Sequence, residues 1–255
     1  MTALLRQANF DLLIFRRNPA ATFFTVILPI IFLLLFTSIF GNQEIEPGVR
    51  AATFYVPGIL ALAIISATGV NLAITMTTRR ERGVLKRVRG TPIPAWVFIA
   101  SQALAGFMLS IIMTVLIVLI GRVLFDVSLN ANGIPSLVIT LFIGAFSFAA
   151  IGLALTSIIP SEDAAPAVTN AIFLPLYFIS DVFIVGADTP TFIQRIGDFF
   201  PVKHLSNALQ ESFDPFAVSA PFPWQNWIVI AVWGAVCAVI TFCLLYTSPS
   251  PRDRG

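Results

Sequence analysis

The chain has 255 residues, 57% hydrophobic and only 11% charged, with a formal net charge of +2. A soluble domain carries about 25% charged residues, and 24 phenylalanines belong to a chain dissolved in lipid, so the composition is that of an integral membrane protein. The small net charge gives no case for nucleic acid as a partner; Cys237 and Cys243 have neither disulfide nor metal-ligand spacing, and His204 has no second histidine with which to share a metal.

Before the first apolar run, MTALLRQANFDLLIFRRNP places Leu4, Leu5, Ala8, Leu12 and Phe15 at helical spacing. Arg6, Gln7, Asp11 and Arg16 fall largely elsewhere on the wheel. Residues 1–19 therefore predict an amphipathic helix lying along a membrane surface, ended by Pro19. A spanning helix needs about 20 mostly apolar residues. Six segments qualify, at about 22–41, 54–77, 96–121, 134–159, 164–186 and 225–246. The runs are continuous rather than alternating, so helices are expected and not barrel strands. No cleavable signal peptide is expected, because the first apolar run lacks a small-residue cleavage site.

The segment RRERGVLKRVRG, residues 79–90, holds six basic side chains between two long apolar runs. With the N-terminus inside, nine basic residues fall in inner segments against four in outer ones, Arg50, Arg122, Arg195 and Lys203. That asymmetry puts both termini in the cytoplasm. The basic segment can act as a topology anchor, but it is better organised than an anchor needs to be. Val84, Leu85 and Val88 form one apolar ridge, Gly90 suits a helix C-cap, and Thr91-Pro92 suits the start of the next helix. A short amphipathic helix between two spans suits docking to a partner's groove.

Between Gly186 and Pro223, Phe192, Ile193, Ile196 and Phe199-Phe200 keep helical spacing, as do Leu205, Leu209 and Phe213, with Pro201 between the groups. Two short helices at the outer face are expected, the first dipping back toward the bilayer, with His204 an interfacial polar residue. Asn71, Thr75, Gln102, Thr156, Thr169 and Asn170 are the main polar residues inside the spans. No Asp, Glu, Lys or Arg is expected at mid-membrane, which argues against ion-driven pumping. The polar side chains serve either helix packing or a weakly polar substrate path through Asn71, Thr75, Asn170 and Asp181. Asp181 itself is read either as a capping residue near the outer headgroups or as a substrate contact. No G-x-x-x-x-G-K-[ST] occurs, so the chain has no P-loop, and neither a Ser-His-Asp set nor HExxH is present.

Four stretches in order carry a resemblance. E-R-G-x-L-x-R followed by T-P stands after the second span; the N-terminal helix ends in Arg-Arg-Asn-Pro; the fifth span runs into PLYFISDVFIVGADTP; and FFPVKHL precedes a final helix. Together, over residues 1 to about 242, they resemble the membrane subunit of type-2 ABC exporters, most closely drug-efflux permeases of the daunorubicin-resistance kind. Asp181 departs from a glycine that many relatives have at that turn. The resemblance implies an all-α polytopic fold: six transmembrane helices, an N-terminal surface helix, a cytoplasmic coupling helix and a short extracellular re-entrant helix pair. It implies that Glu81, Arg82, Gly83, Val84, Leu85, Arg87 and Val88 dock an ABC ATPase subunit. It further implies a bacterial cytoplasmic-membrane location, membrane lipids and a second permease subunit as partners, and no enzymatic activity or cofactor in this chain, with ATP and magnesium bound by the ATPase. The function expected is export of a lipophilic drug or lipid-like substrate. Export of a lipid-linked glycan or another envelope component, and a non-transporting scaffold or sensor, are the alternatives.

Residues 243–253, CLLYTSPSPRD, match one translation frame of a transposase adapter used in sequencing libraries. Residues 243–255 are therefore expected to be adapter read-through rather than native. Trp227 to Phe242 would make only about 24 Å of helix against a core of about 30 Å.

Overall fold

The computed structural model describes residues 2–46, 49–84, 87, 90, 95–127, 129–180, 191–214 and 222–247. Helix α1 (Thr2–Arg16) is short and separate. It ends at Asn18, whose side chain accepts from the Ala21 amide at 3.1 Å. That cap, with Pro19 in the first turn where its missing N–H costs nothing, starts α2 (Pro19–Ile39). Pro19 thus opens the second helix as well as closing the first.

A connector follows, containing a small antiparallel ribbon of β1 (Glu44–Glu46) and β2 (Val49–Arg50). It is the one departure from an all-helical chain among the described residues. The Asn42 amide donates to the Phe125 carbonyl at 2.9 Å, and its oxygen accepts from the Ala52 amide at 3.3 Å. One side chain thereby ties the connector to two helix ends.

Helix α3 (Ala52–Glu81) is the centre of the bundle. Ile59, Leu60, Ile64 and Ile65 are at most 1% exposed, so every face of this helix meets protein. At 30 residues it is about 45 Å long, well beyond a core of about 30 Å. The expected span 54–77 therefore continues through Arg79, Arg80 and Glu81 as helix. It stops where Gly83 adopts φ +69°, a left-handed conformation that glycine reaches without Cβ strain. The Gly83 amide returns to the Arg80 carbonyl at 3.2 Å. Inside α3, Ser66–Val70 forms a π-turn.

Helices α4 (Ala95–Phe125), α5 (Ile134–Leu155), α6 (Ala165–Ile179) and α9 (Trp224–Thr247) complete the long elements. Asp126 at φ 54° turns the chain out of α4, and the Val127 amide returns to the Gly121 carbonyl at 3.1 Å. Helices α3 and α5 touch backbone to backbone at Gly69 and Gly152, where a Cβ on Gly152 would overlap the Gly69 carbonyl. Small residues at a membrane helix contact permit this approach. Helix α9 runs parallel to α5. Trp227 donates Nε1–H to Thr140 Oγ1 at 2.8 Å, and Gly234 lies against Ser147 about two helical turns further along both helices.

Among the described residues, five helices are long and apolar enough to cross a membrane: Pro19–Ile39, Ala52–Glu81, Trp96–Phe125, Ala131–Leu155 and Trp224–Cys243. The fourth ends at Leu155 rather than 159, because the chain turns at Thr156–Ile158. The expected fifth span, 164–186, is the shorter apolar helix Ala165–Ile179; residues 181–186 lie outside the described residues. The outward faces of α4 and α9 carry exposed Val115, Leu119, Val123, Val232 and Val239, as a lipid-facing surface requires.

Helices α7 (Thr191–Phe199) and α8 (Pro201–Ser212) form a hairpin at the end remote from the basic segment. Helix α8 is driven into the bundle, with Val202, Leu205 and Leu209 fully buried. Its Ser212 hydroxyl donates to Ser136 Oγ at 3.0 Å, while Leu205 reaches Gly144, eight residues deeper along α5. The hairpin brings charge into this layer. Lys203 Nζ lies 2.7 Å from Asp198 Oδ1, beside a Phe199 carbonyl held by Trp233 Nε1 at 2.9 Å. The span helices are poor in charge as expected, but tertiary packing sets an ion pair next to them. His204 is held on both sides, with Nδ1 2.8 Å from Asn226 Oδ1 and Nε2 2.9 Å from the Asp198 carbonyl. Asn226 in turn donates to Glu211 at 3.2 Å, and burial raises the Glu211 carboxyl above its ordinary value.

Candidate docking segment and polar cavity

At the basic end of the bundle, α3 emerges carrying Arg79, Arg80, Glu81 and Arg82, and each has a partner. Arg79 turns inward. Its Nη2 lies 2.8 Å from Asp11 Oδ1, and the two side chains are 11% and 3% exposed. Its guanidinium stands 5.2 Å over the Phe98 ring, and Ser101 donates to the second Asp11 oxygen at 3.3 Å. Desolvation of both charges is offset by this network rather than by the pair alone. Asp11 was expected on the polar side of α1. It faces the bundle instead, because Arg79 neutralises it there. Phe10 and Ile14, one helical turn apart on α1, are 64% and 50% exposed.

Arg80 turns sideways. Its guanidinium donates to the Thr156 carbonyl, and to the Ile159 carbonyl at 2.6 Å. These carbonyls belong to the turn that follows Leu155, the last residue of α5. Arg82 Nε bonds Glu162 Oε2 at 2.9 Å, and the Glu81 carboxylate accepts the Glu162 amide. The short turn between α5 and α6 is thus fastened to the end of α3 at three points.

Of the residues expected to dock a partner, Glu81 and Arg82 are exposed but committed to Glu162. Gly83 makes the turn, Val84 is half-buried, and Arg87 is exposed. Leu85 and Val88 lie outside the described residues. The Arg87 amide on the Gly83 carbonyl at 3.3 Å begins a new helical turn there. A new turn thus starts at Gly83, and Arg80, Glu81 and Arg82 just before it are held by the α5–α6 turn.

Asn71 and Thr75, two residues expected on a substrate path, stand one helical turn apart on α3 with their side-chain oxygens 3.5 Å apart. Both line a cavity of about 50 Å³ between α1, α3 and α4, with Asp11, Asn18, Arg79 and Gln102. The π-turn Ser66–Val70 directly precedes Asn71. Such an inserted residue rotates the helix that follows, and π-turns recur at functional positions. Asn170 is not brought to this cavity; it is exposed on α6. Asp181 lies outside the described residues. Sequence reasoning missed Asp11 and Arg79 as residues lining one cavity with Asn71. The available signal was one acidic residue in an otherwise basic and apolar N-terminal helix.

Long apolar helices around a buried central helix, a basic end and a helical hairpin at the opposite end are those of a multi-pass membrane protein of the permease class. Residues 5–213 match the family described as ABC-2 type transporter, and the chain belongs to that family as the membrane subunit of an ABC transporter. It is similar to the daunorubicin resistance ABC transporter permease protein DrrB1 of Streptomyces coeruleorubidus, 25% identical over 94% of this chain and 83% of that protein. It is similar also to the putative transport permease YvfS of Bacillus subtilis (strain 168), 22% identical over 91% of this chain and 93% of the relative. The inner membrane transport permease YadH of Escherichia coli (strain K12) is 23% identical over 91% and 89% of the two chains.

Proposed function

We propose that the chain is the permease subunit of an ATP-driven exporter of a lipophilic drug or lipid-like molecule, working as a dimer with a second permease and two separate ATPase subunits. In this reading Ala165–Ile179 belongs to a sixth span, the basic end and both termini are cytoplasmic, and α7–α8 is a re-entrant pair at the outer face of a bacterial cytoplasmic membrane. Helix α1 lies along the inner surface. ATP and magnesium are bound by the partner.

One observation carries the reading: Arg80, Glu81 and Arg82 fasten the end of α3 to the α5–α6 turn immediately before the apolar ridge of the docking segment. A push on that ridge by an ATPase is then delivered to three membrane helices together rather than dissipated in a loose loop. Similarity to a permease named for daunorubicin resistance supports a lipophilic substrate. The test is recovery of the ATPase on detergent-solubilised permease carrying Leu85→Asp. A carboxylate set into an apolar groove costs roughly 2 kcal/mol or more, which weakens binding by more than about tenfold. Loss of the ATPase with normal membrane insertion is expected; full retention would refute docking through this segment.

A further inference from the structure

The cavity beside Asn71 holds a chemical asymmetry. Gln102 is only 6% exposed and lines the cavity, yet its Nε2 has no hydrogen-bond partner among the described residues. A buried amide N–H₂ without an acceptor is costly, so the site is built to receive an oxygen. Asn71 and Thr75, on the same wall, add further donors and acceptors. The charged residues that line it are already matched: Arg79 is spent on Asp11, and Asp11 also takes Ser101. An anionic headgroup would have to draw Arg79 away and leave the Asp11 carboxylate buried without its cation.

The remaining wall is apolar, with Leu72, Ala105 and Leu109. Ile14 lines the cavity and is also 50% exposed, beside the exposed Phe10 and Leu13 of α1. It joins the polar interior to the lipid-facing side of that helix. A volume of about 50 Å³ takes a hydroxyl or carbonyl with a few attached atoms and no whole lipid.

Resting on the exporter reading, we propose that this cavity captures the uncharged, hydroxyl- or carbonyl-bearing head of an amphiphile from the adjacent leaflet, with its apolar chain laid along Ile14 and Phe10. The substrate class so defined is neutral lipophiles with an oxygen-rich head, as opposed to anionic lipids.

The experiment needs no ATPase. Purified permease in phosphatidylcholine nanodiscs is photolabelled with a diazirine-tailed diacylglycerol, and separately with phosphatidic acid bearing the same tails. Cross-links are mapped by mass spectrometry. Diacylglycerol should label peptides from α1 and the cavity side of α3 and α4 at least fivefold more than phosphatidic acid. Gln102→Leu should abolish that preference while leaving labelling of the lipid-facing Val232 and Val236 of α9 unchanged. Thr75→Val, close in shape to the native residue, provides a second variant should Gln102→Leu not fold, and should weaken the preference in the same direction. Equal labelling by the two probes would overturn the proposal. So would a preference that survives both variants, or cavity labelling no higher than on α9, the outcome expected if the cavity holds water only. Because Leu85→Asp tests docking separately and should leave the labelling intact, failure of this site and failure of the exporter reading are told apart.

Discussion

Arg79 on α3 and Asp11 on α1 meet at 2.8 Å with hardly any solvent on either, although 68 residues separate them in the chain. This pair ties the N-terminal helix to α3, and both its members line the cavity that Asn71 and Thr75 line.

Removing one member should cost more than removing both. Asp11→Ala leaves a buried guanidinium without its carboxylate, a loss of about 3–5 kcal/mol for a broken buried pair. Asp11→Leu combined with Arg79→Met takes out both charges and keeps apolar volume, and should recover most of that stability. Thermal unfolding of the solubilised permease measures the difference. A double variant no more stable than the single one would refute the pairing energetics.

Arg80 has a different job from its neighbours in the charge cluster. Sequence reasoning treats it as one of several interchangeable positive charges, whereas the structure gives it carbonyls of the turn after α5. Arg80→Lys keeps the charge but loses the planar fork. Both Arg80→Lys and Arg80→Ala should loosen residues 153–160 by about 1 kcal/mol, seen as roughly fivefold faster amide exchange there. Orientation should be unchanged in both. Exchange in Arg80→Lys as slow as in the parent protein would show that charge alone suffices.

Gly152 has no room for a side chain. Gly152→Ala places a methyl against the Gly69 carbonyl, forcing α3 and α5 apart at the π-turn. Overpacking of this kind costs typically about 1–3 kcal/mol. A lower melting temperature and weaker probe labelling at the adjoining cavity are expected together. An unchanged melting temperature would mean that the close approach is not maintained.

Orientation can be read directly. With Cys237 and Cys243 replaced, Ala131→Cys before α5 should react with an impermeant thiol reagent added to intact cells. Asp163→Cys, in the turn fastened to Glu81 and Arg82, should react only after permeabilisation. Both positions are exposed. The reverse pattern would invert the topology inferred from the nine-to-four basic asymmetry.

The sequence by itself determined the solvent, the order of the apolar helices and the basic segment after the second of them. Each is a local property: hydrophobic length, continuity and the position of charge are written along the chain. The two helices of the α7–α8 hairpin were legible for the same reason, since Phe192 to Phe213 keeps helical spacing around a single proline. Only the tertiary structure decided that the second span reaches Glu81, because its extra turn is held by Asp11 and by carbonyls of the turn after α5. These partners lie 68 or more residues away and impose no periodicity on the sequence. The same holds for burial of α8 and for the cavity. Asn71, Thr75 and Gln102 read in the sequence as scattered polar residues with packing and substrate roles equally open. They become one wall only when α1 is pinned across α3 and α4 by a buried charge pair, and charge pairing acts through space, not along the chain.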